Sequence, residues 1–249
     1  MDTARMTLAL KRAIYYGKDE QIQKHGRSYV KVIRKFWDTY SHGAWIAAYM
    51  AFYMLGFFIL EHAGHRHYHV IHSVVDDLIP FNEYFIIPYD LWFLYMVIGI
   101  CWFIFFCRSK TEYYKLVCVL SIGMTIFLIV SCVYPNCQDL RPQEFARQNM
   151  FTDMVAALYK TDTPTNILPS IHVYNSLALF YGLNSSSQLR QHRAVRAGAL
   201  ILTVLIVLST MFLKQHSVVD VSMGILTSFA VQMFCDRVFA PETSTVYSK

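Results

Sequence analysis

Six long apolar runs, at roughly 44–60, 91–107, 116–134, 171–185, 196–213 and 217–239, dominate this chain. In hydrocarbon every backbone N–H and C=O must be bonded within the protein, so runs near bilayer length predict membrane-crossing helices. Composition agrees: 55% of the residues are hydrophobic and 16% charged, which would leave a soluble globule with too much apolar surface. Aromatic residues make up 16%, many near the ends of the runs, where a membrane interface suits them. The expected fold is an all-α, polytopic membrane helical bundle with six transmembrane helices and an N-terminal amphipathic helical segment. The fourth run is the weakest, being short and interrupted by Asn175 and Ser176. The sixth holds Asp220, and an ionisable group inside a span is a functional candidate by default.

Charge divides the chain into three parts: a basic cytoplasmic segment 1–43, a six-span domain 44–240 and a cytoplasmic tail 241–249. Residues 1–43 carry nine of the 22 Lys and Arg. From Val30, apolar residues recur at Ile33, Trp37 and Tyr40, with Lys31, Arg34 and Lys35 on the other side. That pattern describes an interfacial amphipathic helix, or equally a solvated helical arm. The net charge of +5 does not point to nucleic acid, because the basic block precedes a hydrophobic span and suits acidic lipid headgroups. With the N-terminus inside, the inner segments hold 17 of the 22 cations. The outer segments hold only Arg66, Arg141, Arg147, Lys160 and Lys214. The positive-inside rule therefore puts both termini in the cytoplasm. No cleavable signal peptide is expected, since the first apolar run begins after residue 43. Of six cysteines, Cys132 and Cys137 lie near one membrane face at a spacing that permits pairing, and the other four read as small core residues.

Three stretches carry chemistry, and in this topology all three face outward. In Asp162-Thr-Pro-Thr-Asn-Ile-Leu-Pro-Ser-Ile-His172, the prolines and small polar residues oppose regular structure until Pro169, which fits the first turn of a helix. Ser170 and His172 then sit at a helix N-terminus, where free N–H groups and the dipole favour an anion such as phosphate. In Lys214-Gln-His-Ser-Val-Val-Asp220, His216 and Asp220 are four apart and share a helix face. A carboxylate there fixes the imidazole tautomer and frees the other nitrogen as nucleophile or base. In Gln138-Asp-Leu-Arg141-Pro142, the guanidinium suits bidentate contact with phosphate. Between the first and third of these, apolar residues from Phe145 to Tyr159 at helical spacing predict a segment lying on the membrane, roofing a lipid-access cleft or packing on the bundle.

Arg141-Pro142, Pro169-Ser-Ile-His172 and His216-Ser-Val-Val-Asp220, in this order, resemble the three motifs of the type-2 phosphatidic acid phosphatase superfamily. Asp76-Asp-Leu-Ile-Pro-Phe81, Asp162-Thr-Pro-Thr-Asn166 and Gly224 look like the branch that includes inositolphosphorylceramide synthases and bacterial relatives. The likeness runs from about Ile71 to Gly224. Two family cations are replaced, by Tyr134 and Thr210, and Lys214 is the candidate substitute, with Lys160 behind it. The resemblance implies a phosphohistidine formed on His216, oriented by Asp220. His172 then acts as general acid and base, and Arg141, Lys214 and Ser170 bind phosphate. It implies no cofactor and no metal, and a phosphorylated lipid rather than nucleic acid as partner. Water as acceptor makes a lipid phosphatase, the favoured reading, and a lipid alcohol makes a phosphotransferase.

A rival from another class is His62-Ala-Gly-His65-Arg-His67-Tyr-His69-Val-Ile-His72, five imidazoles with Asp76 and Asp77 close behind. Such a set could bind zinc, copper or iron. It lacks the separated His boxes of di-iron hydroxylases, and it falls in a predicted loop rather than at mid-membrane.

Overall fold

The computed structural model describes residue 35, residues 39–63 and residues 67–240. The expected amphipathic segment is thus largely outside the described residues, as are His65, Arg66 and the tail 241–249. The chain divides into two compact units, residues 1–45 and 46–249. In the first, the Thr39 hydroxyl donates to the Lys35 carbonyl at 2.7 Å, a helical contact.

The chain is all-α. It runs through α1 (Gly43–Glu61), a two-residue strand β1 (His69–Val70), α2 (Val74–Leu78), and a 3-10 turn (Glu83–Phe85) that leads into α3 (Ile86–Phe105). Then follow α4 (Lys110–Val133), β2 (Asn136–Cys137), α5 (Met150–Thr161), α6 (Ile171–Ser185), α7 (Arg193–Phe212) and α8 (Val218–Val238). Among the described residues five helices are long and apolar enough to cross a membrane: α1, the 3-10 turn with α3, α4, α7 and α8.

The fourth predicted span becomes α6, with 15 residues. At 1.5 Å per residue that is roughly 22 Å, short of a hydrocarbon core of about 30 Å. The six expected spans thus comprise five long helices and a shorter central one. The reason lies in packing: α6 is surrounded by α3, α4, α7 and α8. Tyr174 and Leu179 are fully buried, and so is Ser176, whose hydroxyl donates to the His172 carbonyl at 2.6 Å. A helix shielded from lipid need be neither apolar all round nor long enough to reach both interfaces.

Two glycines let helices close on α6. A Cβ on Gly123 of α4 would stand 1.9 Å from the Tyr174 ring, whose hydroxyl donates to the Val119 carbonyl at 2.7 Å. A Cβ on Gly224 of α8 would meet the Ser170 carbonyl at 2.9 Å. There the Ser170 N–H donates to the Asp220 carbonyl at 3.0 Å, which fixes the start of α6 against the first turn of α8.

Candidate active site

The loop before α6 is built on one side chain. Asn136, fully buried, accepts the N–H groups of Ile167 and Leu168 at 2.8 and 2.9 Å and donates to the Tyr134 carbonyl at 2.7 Å. Its carbonyl also accepts the Asn166 N–H at 2.6 Å. These bonds replace the ladder that a proline-interrupted loop cannot form, and buried backbone groups need such partners. From α1, Glu61 accepts from the Thr163 hydroxyl at 2.6 Å and from the Asn166 amide at 2.8 Å. Ser170 then caps α6, as the sequence predicts, through a weak bond from the Val173 N–H.

The second wall is the turn between α7 and α8. The N–H groups of Gln215 and His216 both donate to the Thr210 carbonyl at 2.9 and 3.0 Å, and Lys214 takes a left-handed φ of 54° to permit it. Ser217 caps α8. Asp76 clamps this turn from α2: one carboxylate oxygen accepts from the Ser217 hydroxyl at 2.6 Å and the other from the Val218 N–H at 2.8 Å. The Lys214 ammonium donates to the Asp76 carbonyl at 2.6 Å. His216 is thus held by bonds on both sides of it in the chain. Its Nδ1 donates to the fully buried Asp220 carboxylate at 2.5 Å, which holds the ring by that nitrogen.

His172 faces this pair. Its ring lies 4.4 Å from Trp92 and 4.8 Å from Tyr89, centroid to centroid, and meets the His216 ring edge-on at 5.7 Å. Both histidines line a cavity of about 600 Å3 between α1, α3, α4 and α5. Its walls are largely apolar, from Tyr53, Phe57, Phe93, Phe127 and Leu158, with Gln215 beside the histidines. Met54 and Phe93, which also line it, are half or more exposed. The cavity therefore combines an apolar body, exposed apolar rims and a polar end.

Residues 134–243 match the family model of the PAP2 superfamily. The matched region holds Arg141, Ser170, His172, Lys214, His216 and Asp220, and with the apolar helices it fits a membrane phosphatase-type protein. No curated protein and no solved structure gives a significant match to the chain. Asp76, Trp92 and Tyr89, which complete the site, lie outside the PAP2-like region.

Of the predicted phosphate ligands, Arg141 is placed against the turn between α7 and α8. It donates to the carbonyls of Tyr159 at 3.1 Å and Asp162 at 2.7 Å, to Gln215 Oε1 at 2.5 Å, and lies 4.4 Å over the Tyr159 ring. Burial pushes its pKa down, opposed chiefly by the charge of Asp162. Lys214, whose pKa burial also lowers against the pull of Asp76 and Asp77, is turned to Asp76. Neither Arg141, Lys214 nor Ser170 lines the cavity, whereas Gln215 does. Four buried polar atoms at the site have no hydrogen-bond partner among the described residues: Arg141 Nε, Gln215 Nε2, His172 Nδ1 and Asp220 Oδ1. Buried polar atoms are rarely left so, and three of these four are nitrogens.

Sequence reasoning missed Gln215 and the clamp by Asp76. The signal for Gln215 was its place between two singled-out residues; Asp76 offered none beyond its motif. The histidine cluster disperses. His62 donates to the Phe58 carbonyl and stacks on its ring, His69 stacks on Tyr134, and His72 bonds Asp77, which raises the His72 pKa. Among the described residues no three His, Cys, Asp or Glu side chains gather to hold a metal ion. Cys132 and Cys137 are not joined in a disulfide.

Proposed function

We propose that this protein is a PAP2-type lipid phosphatase that hydrolyses a phosphate or diphosphate monoester of a lipid through a phosphohistidine on His216. The observation that carries the reading is the His216–Asp220 pair facing His172 at the polar end of an apolar, rim-exposed cavity. The lipid's chain occupies the apolar walls and its phosphoryl group the end beside Gln215. His216 Nε2 attacks phosphorus as the P–O bond to the lipid breaks, and His172 gives the leaving oxygen its proton. Asp220 stabilises the imidazolium that forms. A water then attacks the phosphohistidine, His172 takes back a proton, and inorganic phosphate leaves. A phosphoryl group beside His172 supplies the negative charge that favours its protonated form. Arg141, Gln215, Lys214 and the N–H groups at the Ser170-capped start of α6 offset the developing charge.

A lipid alcohol in place of water would make a phosphotransferase with the same histidines, in keeping with the branch resemblance. The deciding experiment is a panel of phosphorylated lipids with purified protein, tracking free phosphate against new phospholipid, with and without chelator. Free phosphate with chelator present supports the phosphatase. Turnover that needs one divalent metal overturns the mechanism. We place this site on the extracytoplasmic side because of the cation count. With Cys132 replaced by Ser, Gln148→Cys should react with an impermeant thiol reagent in intact cells and Gln191→Cys should not; the reverse pattern overturns that orientation.

A further inference from the structure

A second cavity, of about 350 Å3, lies between the C-terminal half of α6 and the N-terminal half of α7. Its lining from α7 is Arg193, Arg196, Ala197 and Leu200, spaced i, i+3, i+4 and i+7 and hence on one helix face. Phe180 and Asn184, four apart, line it from α6. The order along α7 is informative: guanidiniums at the helix start, apolar side chains deeper in the span. The groove thus has a cationic rim and an apolar floor.

The rim's charge is not neutralised by the protein. Arg196 donates to the Asn184 side-chain oxygen at 2.8 Å and to the Arg190 carbonyl at 3.2 Å, both neutral acceptors. The Arg193 side chain has no hydrogen-bond or ion-pair partner among the described residues. No acidic residue occurs between Asp162 and Asp220 in the sequence. The described carboxylates at this end are engaged elsewhere: Glu112 accepts from the Ser187 N–H and the Cys107 thiol, and Asp236 pairs with Lys115. Arg190 and His192 add cationic or ionisable groups beside the rim, and Arg108, Lys110 and Arg237 lie at the ends of neighbouring helices.

We infer that this groove binds an anionic phospholipid, its phosphate on Arg193 and Arg196 and one acyl chain along Phe180, Ala197 and Leu200. A soluble anion would use the rim and leave the floor in contact with neutral lipid, so the apolar floor selects an amphiphile. A basic patch at a membrane helix end attracts anionic lipid in any case. The groove adds a defined place, with Asn184 holding one guanidinium in position. It stands apart from the histidine site, which is at the other end of α6, so an occupied groove would brace that helix without touching substrate.

The test compares thermal unfolding of the full chain in phosphatidylcholine bilayers with and without phosphatidylglycerol. The wild type should unfold at a higher temperature with phosphatidylglycerol, and inorganic phosphate added to phosphatidylcholine bilayers should give no such rise. Arg193→Gln, which breaks no bond within the described protein, should remove much of the rise, and Arg193→Gln with Arg196→Gln nearly all of it. Binding read by native mass spectrometry should weaken roughly fivefold per guanidinium removed. Arg237→Gln, a cation lost outside the groove, should keep the full response. The inference is overturned if the double variant responds like wild type, if Arg237→Gln loses as much as Arg193→Gln, or if phosphate alone reproduces the rise.

Discussion

At the end of the bundle that carries His172 and His216, three cations are committed to the protein. Arg141 donates to three neutral oxygens, Lys214 to the Asp76 carbonyl, and Arg147 stands 3.4 Å from buried Glu83. At the opposite end Arg193 reaches no partner among the described residues and Arg196 only two neutral acceptors. The chain segments differ as well. The histidine end is stitched by buried side chains such as Asn136 and Asp76, whereas the other end closes through exposed bonds such as Arg108 N–H to the Gln188 side chain at 2.6 Å. The difference teaches how one set of helices can present cations in two ways, bound into the fold at one end and left without a counter-charge at the other. Chemistry needs donors fixed before substrate arrives, because reorganising them during reaction raises the barrier. A lipid-binding rim needs only charge and a matching apolar floor.

The comparison is broken most directly at the proposed catalytic pair, His216 and Asp220. His216→Ala should abolish turnover and any acid-labile, base-stable phosphoenzyme, and Asp220→Asn should cut the rate about 10^3- to 10^4-fold, since an amide cannot stabilise the imidazolium. A normal yield of labelled protein from His216→Ala would mean another residue is the nucleophile. His172→Ala should instead keep some phosphoenzyme formation with a substrate whose leaving group needs no proton.

The clamp comes next. Asp76→Ala removes three accepted bonds at the histidine end and should lower stability by about 2–4 kcal/mol while reducing kcat more than it raises KM. Asp76→Asn should recover part of both. An Asp76→Ala protein with wild-type kcat and unfolding temperature would show that the turn holds His216 without help.

Mid-bundle, Gly123→Ala tests the helix shared by both ends. Its Cβ must displace the Tyr174 ring, and calorimetry should show a loss of about 1–3 kcal/mol. The smallest effect is expected at the other end: Arg193→Gln in neutral detergent should stay within about 0.5 kcal/mol of wild type, with unchanged turnover. A large loss there would mean that Arg193 holds the fold, and the contrast between the two ends would fail.

How much of this was legible beforehand follows from the range of each interaction. The apolar runs implied an all-α membrane bundle because hydrocarbon forbids unbonded backbone, and five of them became helices of crossing length, α1, α7 and α8 close to the expected limits and α3 and α4 starting about a turn or more earlier. The His216–Asp220 contact and the Ser170 cap could be read directly, since i to i+4 and N-cap geometry are properties of a single helix. What only the tertiary structure decided is everything that joins distant stretches. It set α6 at the centre, shielded from lipid, and so explains why that run could be short and hold Asn175 and Ser176. It brought Asp76 to Ser217 across 141 positions and Arg141 to Gln215 across 74, and it turned Gln215, rather than Lys214 or Arg141, toward the cavity. No periodicity encodes those meetings, because each depends on the packing of whole helices and on which buried polar atoms remain to be satisfied once the helices have closed.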